Sequence, residues 1–299
     1  MAQIISGMDF TAYLDDTDAA HKVVKASAYV DDVINYFNSE GPIVGATMPW
    51  SKTYNQIRFR PGETTLWAGM NGHGKSLLLG QSVMGFVTQG QKACIASMEM
   101  KPMITLARIC RQSGGACRPD VEFIRHFHKR TDGSLWLYDQ QGTVKAKLMI
   151  AVIRYCADKL KIDHFVIDSL MKCGIGEDDY NGQKAFLDQL TAVARDTGIH
   201  LHLVAHSRKA KDELSAPNKM DVKGTGTITD LVDNVLTVWR NKGKEREMED
   251  GNHAHSGDPD VLILCDKQRN GEWEGPIKLW YLPESMQFVQ DGVSGPTSF

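Results

Sequence analysis

Gly69-Met70-Asn71-Gly72-His73-Gly74-Lys75-Ser76 follows the spacing G-x-x-x-x-G-K-S. This is the pattern of a P-loop, in which glycines let backbone N–H groups close around phosphate oxygens and the lysine adds a charge. Thr64-Thr65-Leu66-Trp67-Ala68 precedes it, β-branched and apolar, and Leu77 to Met84 follows with good helix formers. Strand, glycine loop and helix in that order aim free N–H groups and the positive end of a helix dipole at the phosphates. A glycine-rich turn with an incidental lysine is the alternative, and these flanks disfavour it. All eight residues are therefore candidate nucleotide-binding positions, with ATP or another NTP as the ligand.

The chain has 299 residues, enough for one large α/β domain or two small ones, and 42% of them are apolar. A formal charge of −3 excludes a generally basic coat for nucleic acid, but not a local basic groove. Six cysteines, Cys94, Cys110, Cys117, Cys156, Cys173 and Cys265, are scattered with no C-x-x-C pair and read as reduced cytosolic thiols. No apolar run reaches the length of a membrane span, and Met1 to Ser6 lacks an export-signal pattern, so the expectation is a cytoplasmic protein with no membrane partner.

Residues 1 to 24 are acidic and mixed, a docking arm or a loose end. Ala28, Val30, Val33, Ile34 and Phe37 give a helical face over about 27–38. One short helix is not stable alone, so that face needs its own core or a neighbouring subunit. Residues 41–62, with Gly41, Pro42, Gly45, Pro49 and Pro61, read as a linker and lead-in loop. From Thr64 the chain alternates. Strands are expected at 92–97, 135–138, 164–168 and 199–205, and helices at 103–111, 144–160 and 183–197. That rhythm implies a mostly parallel sheet with helices on both faces. After it, 235–239, 261–265 and 277–281 read as strands separated by turns, an antiparallel C-terminal extension of the sheet.

Asp168 ends the strand Phe165-Val166-Ile167. In a P-loop protein an aspartate there holds Mg²⁺, and the Ser76 hydroxyl is a direct ligand; a turn-capping aspartate is the alternative. Ser169, not a glutamate, follows, so a water-activating base must come from elsewhere. Glu99, in Ser97-Met98-Glu99-Met100, lies directly beyond a strand expected beside the P-loop strand and is the candidate. His206 follows the strand Leu201 to Ala205 and reads as a γ-phosphate sensor or as a buried structural histidine. Arg208, Lys209, Lys211, Lys219 and Lys223 crowd a loop with glycine and proline, a candidate track for a phosphate backbone diluted by Asp212, Glu213 and Asp221. Residues 172–183 form a weaker, acidic second loop. Lys267 and Arg269 sit in Asp266-Lys267-Gln268-Arg269-Asn270-Gly271, where Asn-Gly predicts a tight hairpin. Taken alone such a pair is surface decoration; in a ring of P-loop subunits it can reach a neighbour's γ-phosphate as an arginine finger. The pairs His126/His128, His200/His202 and His253/His255 have no third ligand at metal spacing and read as structural or solvated.

With these residues in place the chain resembles the RecA-like motor domain of the DnaB-like replicative helicases, nearest to phage primase-helicases and mitochondrial Twinkle. The resemblance covers about residues 40–290. It rests on Arg60-Pro61-Gly62-Glu63, the P-loop, Ser97 to Met100, Val166 to Ser169, Ala205 to Lys209, Gly224 to Ile228 with Asp233-Asn234, and Lys267 to Gly271. It implies an α/β, RecA-like P-loop NTPase core in a homohexameric ring that moves 5′ to 3′ on single-stranded DNA, hydrolysing ATP with Mg²⁺ at subunit interfaces. It assigns Glu99 as base, His206 as coupling residue, Lys267 and Arg269 as trans-acting stabiliser and finger, Arg240 as a nucleotide-base contact, and the loop after His206 as the DNA contact. The helix near 28–38 becomes the linker that docks on the adjacent subunit. The expected division is an arm and linker helix over 1–40, a motor over 41–290 and a tail over 291–299. Primase and polymerase are further expected partners. No primase or zinc-binding domain precedes the motor here, so the expectation is either a stand-alone phage helicase or a fragment, with the Met1 start favouring the former. A RecA-like recombinase filament, and a nucleotide-switched loader or scaffold that does not unwind, are the competing readings.

Overall fold

A computed structural model describes residues 3–5, 25–38, 44–176, 179–206 and 226–299. The candidate DNA-contacting residues Arg208, Lys209, Lys211, Lys219 and Lys223 lie outside the described residues.

Among the described residues one ten-stranded sheet runs through the molecule. Its strands are β1 (Gln3–Ile5), β2 (Thr64–Ala68), β3 (Ala93–Ser97), β4 (Leu135–Tyr138), β5 (His164–Asp168), β6 (His200–Val204), β7 (Asn234–Arg240), β8 (Val261–Gln268), β9 (Gly275–Leu282) and β10 (Gln287–Val289). The spatial order is β1-β4-β3-β5-β6-β2-β7-β8-β9-β10. Pairings from β1 to β7 are parallel, and those from β7 to β10 antiparallel. The helices are α1 (Val30–Asn38), α2 (Lys75–Thr88), α3 (Pro102–Gly114), α4 (Val121–Thr131), α5 (Ala146–Tyr155), α6 (Tyr180–Thr197), α7 (Gly226–Leu231) and α8 (Lys242–Glu249).

The central strands are buried almost end to end because helices cover both faces, and alternate residues feed opposite layers. Phe165 and Ile167 of β5 pack with Met149, Val152, Leu187 and Leu190 of α5 and α6. Val166, between them, joins Leu78, Val83 and Phe86 of α2 and Ile109 of α3 on the other face.

Several boundaries differ from expectation for local reasons. The helix expected over 144–160 is α-helical only to Tyr155; Cys156–Leu160 is a π-helical turn closed by Lys161 at φ 54°. Residues 44–62 are more than a lead-in loop. Met48, Trp50, Ile57 and Phe59 are buried in the α2 layer, and Ala46 bridges Phe59. Prolines and glycines mask that apolar content from any periodicity test. The turn expected between β7 and β8 contains α8, a surface helix of Lys, Arg and Glu with an Asn241 N-cap that accepts from Lys244 N at 3.0 Å. A helix without an apolar stripe escapes pattern reading. Asn270-Gly271 does not make a tight hairpin: β8 ends at Gln268 and β9 begins at Gly275. Asn270 instead donates to Glu63 Oε1 at 2.7 Å.

The strand starts hold a polar core. His164, His200 and His202 are buried together beneath Phe59 and Phe86. Their hydrogen bonds run in one direction. Trp67 Nε1 donates to His202 Nδ1 at 3.2 Å, which leaves His202 Nε2–H to donate to His164 Nδ1 at 3.2 Å. His200 Nδ1 donates to Arg60 O at 2.6 Å and its Nε2 accepts from Thr65 Oγ1 at 2.9 Å. His200/His202 is thus structural, and His164 on the adjacent strand completes a neutral triad. The other two pairs differ: His126 and His128 sit on α4, not a strand, and His253 and His255 are exposed. Among the described residues no group of three or more His, Cys, Asp or Glu side chains is arranged to hold a metal ion.

An imidazolium at His202 would oppose its Nδ1–H to the Trp67 N–H. Burial pushes His164 and His202 well below the ordinary value and His200 down to about 4. Below about pH 6.5 the unfolded chain therefore binds more protons than the folded one, and stability falls as pH falls. The limiting slope for three histidines is about 4 kcal/mol per pH unit. Melting curves recorded from pH 7.5 to 5 should show a steep drop in Tm beginning near pH 6.5; a flat Tm would rule out a neutral triad.

Candidate functional site

The C-terminal ends of four neighbouring parallel strands meet at the candidate site. In the order β3-β5-β6-β2 these ends carry Glu99, Asp168, His206 and the P-loop. β3 does not adjoin the P-loop strand as expected; β5 and β6 lie between. Glu99 nevertheless belongs to the constellation, because the P-loop's Lys75 ammonium feels both Glu99 and Asp168, and Asp168 in turn feels Glu99.

The loop itself is built for close approach. Gly69 has φ 150° and passes so near β7 that an added Cβ would lie 2.4 Å from Val238 O. Gly74, the N-cap of α2, has φ 86°. Neither position accepts a side chain without strain. Lys75 is buried and donates to Gly69 O and Met70 O at 2.8 Å each. Burial pushes its ammonium down to about 8, against the upward pull of Asp168 and Glu99. A polyphosphate would replace those two carbonyls with anionic acceptors. Met70, Asn71, Gly72 and His73 complete the loop between Gly69 and Gly74, with His73 Nδ1 accepting from Arg240 N at 3.2 Å.

Burial raises the pKa of Asp168, opposed by the neighbouring Ser76 hydroxyl, reinforced by Glu99, and opposed again by Lys75 and His206. A hydroxyl and a carboxylate are the hard oxygen donors that Mg²⁺ takes, and two protein ligands leave the other positions to phosphate oxygens and water. Residues and ion therefore fit, with the nucleotide as part of the cage. Glu99 Oε1 accepts from Ser169 Oγ at 3.3 Å. Ser169, fully buried, thus orients the glutamate that its own position does not supply.

Lys267 and Arg269 lie at the other end of the sheet. Asp233, just before β7, accepts from Thr64 N at 2.9 Å at the start of β2 and pairs with Arg269 Nη1 at 2.9 Å. Lys267 Nζ donates to Thr229 O, Asp230 O and Val232 O at 2.8–3.0 Å, closing the C-terminal end of α7. The five residues of β2 separate this cluster from the chain's own P-loop by roughly 16 Å.

Arg240, at the far end of β7, is on the P-loop side. Its guanidinium lies 5.7 Å from the ring centroid of Tyr281, which packs on Phe288 at 5.1 Å. Phe288 would be 3.4 Å from a Cβ at Gly74. Tyr281 is a candidate contact that sequence reasoning missed, because its proximity depends on the register Arg240↔Val261↔Leu279 across three strands.

Comparisons with known proteins bear on the family and the fold. A family model described as an AAA domain matches residues 52–212, more than half of the chain. A DNA helicase/primase of Enterobacteria phage T3 is 23% identical over 204 residues, covering 61% of this chain and 36% of that protein. The chain spans about a third of the length of this relative. Among solved structures, one isolated ATPase domain superposes with a TM-score of 0.71 at 15% identity, over 92% of this chain and 99% of that one. A DnaB-like replicative helicase, studied for its interactions with primase, gives 0.70 at 16% identity, over 90% and 69%. The fold is that of the RecA-like helicase ATPase domains.

Proposed function

The chain belongs to the AAA-domain family, and from that premise we propose that it is the motor of an NTP-driven replicative DNA helicase, assembled as a ring. One observation carries this reading. Lys267 and Arg269 are presented about 16 Å from the chain's own P-loop, so the phosphate they could reach is one held by a second copy. Residues 41–290 are the motor and residues 1–40 the arm and linker. The α1 face supports assembly: Val33 is 50%, Ile34 49% and Phe37 78% exposed, an apolar surface suited to a neighbouring subunit.

In this reading Gly69–Ser76 hold the triphosphate, Ser76 and Asp168 hold Mg²⁺, and Glu99 takes the proton of the attacking water. His206 passes the state of the γ-phosphate to the segment carrying Arg208, Lys209, Lys211, Lys219 and Lys223, which follows single-stranded DNA. Arg240 meets the base. Bound Mg²⁺ would supply charge neutralisation between phosphate oxygens. Translocation runs 5′ to 3′ around a hexamer in the host cytoplasm, with primase and polymerase as partners. Support for DNA and primase comes from the phage helicase/primase and the DnaB-like helicase to which the chain is similar.

A forked-duplex unwinding assay with ATP, beside electron microscopy of the particle, tests the proposal. Strand separation that needs a 5′ tail, and closed rings, are expected. ATP hydrolysis without strand separation would point to a loader, and open filaments to a recombinase; either would overturn it.

A further inference from the structure

α8 has no role in the site so far, yet it is pinned with unusual care for a polar surface helix. Lys244 is its anchor: the side chain is 5% exposed and its ammonium pairs with Asp260 Oδ1 at 2.7 Å while donating to Asp258 O at 2.6 Å. A buried ammonium needs such partners, because desolvation without them costs several kcal/mol. Asp260 is shared. Its Oδ2 accepts from Tyr281 N at 2.8 Å, and its carbonyl accepts from Asn241 N at 2.8 Å. One carboxylate thus locks the start of α8 to the strand that carries Tyr281.

The residue after the anchor faces the site. Glu245 pairs with Arg240 Nε, and the Arg240 guanidinium lies over Tyr281. Arg240 N in turn donates to His73 of the P-loop at 3.2 Å. A free arginine side chain at a surface samples many rotamers, and fixing it costs entropy when a ligand binds. Here the carboxylate has fixed it beforehand, with the guanidinium plane presented beside an aromatic ring.

We propose that α8 is a nucleobase clamp in which Glu245, set in place by the Lys244–Asp260 pair, holds Arg240 against Tyr281 as a preformed platform for the base of the bound nucleotide. The proposal rests on the nucleotide-site reading above and adds Glu245, Lys244 and Asp260 as positioning residues. Planar bases of any sequence can stack on such a pair, so the clamp contributes affinity through the base while the P-loop contributes it through phosphate.

Two ligands separate these contributions: ATP, and inorganic tripolyphosphate, which has no base. Both are measured by competition against a fluorescent nucleotide with the full chain. Glu245 is a third exposed, so E245A tests the clamp without opening the core. It should weaken ATP binding about tenfold, with tripolyphosphate binding and Tm close to those of the parent. Added to R240A, E245A should cause no further loss, because Glu245 acts through the arginine. E245Q should fall between, keeping a hydrogen bond to Arg240 without the charge. Unchanged ATP binding in E245A, equal loss of both ligands, or full additivity with R240A would each overturn the clamp. A parent chain that binds neither ligand would remove the nucleotide site itself and this inference with it. K75A, losing both ligands beside a parent that binds them, keeps the two failures distinct.

Discussion

Glu99→Gln is expected to bind nucleotide as the parent does and to hydrolyse it about 10²–10⁴-fold more slowly. The expectation follows from what glutamine keeps and what it loses. The amide has the shape of the carboxylate, and its oxygen still accepts from Ser169 Oγ, a contact of 3.3 Å in the parent. Lys75, buried and bound to the loop carbonyls, remains free to turn to a triphosphate. The variant loses only the capacity to take a proton from water beside the γ-phosphate. Phosphate release with and without single-stranded DNA, paired with fluorescent-nucleotide binding, reads both properties. K75A gives the contrast, because it removes a phosphate ligand and should lose binding and hydrolysis together. Parental turnover in E99Q would end the assignment of Glu99 as base.

The strand-end positions gathered at the candidate site were legible for a physical reason. Each follows a short, fully buried strand in a parallel sheet, so an apolar run ending in Glu99, Asp168 or His206 marks a strand end, and strand ends in such sheets gather ligands. Local chemistry therefore located the residues, but not their order in space. β5 and β6 between β3 and β2 are a matter of topology, to which no single segment testifies. The same limit hid His164, whose partners His200 and His202 sit one strand away, and Tyr281, which reaches Arg240 through the register of β7, β8 and β9. Asn270-Gly271 misled in the opposite direction. Its turn propensity was overridden by the buried carboxylate of Glu63, which takes hydrogen bonds from both Asn270 and Asn234 at 2.7 and 3.0 Å. Six connecting residues then replace the two of a tight turn. α8 was hidden because a helix that buries only Lys244 has no apolar period to show.

Arg269→Ala is expected to bind nucleotide and to lose hydrolysis about 10³–10⁵-fold, the range an arginine finger contributes in related phosphoryl transfers. Distance from its own P-loop makes a cis effect on the phosphates implausible on geometry: Arg269 pairs with Asp233 at 2.9 Å, at the opposite end of β2. The fold should survive the change, since the guanidinium is partly exposed and Asp233 keeps the Thr64 N–H at 2.9 Å. Mixing separates a trans role from a structural one. K75A has a dead phosphate site but an intact Arg269, and R269A has the reverse. In a mixed ring, an R269A site that meets a K75A neighbour has every group it needs, so the mixture should regain hydrolysis that neither variant shows alone. A structural role for Arg269 would leave the mixture as inactive as its components. Lys267 constrains the motion involved: its ammonium closes the last carbonyls of α7, so engaging a neighbour's phosphate must release that end. α7 directly follows the candidate DNA-contacting segment 207–225. Restored hydrolysis in the mixture that still depends on DNA would therefore place the finger, α7 and the DNA contact on one mechanical path.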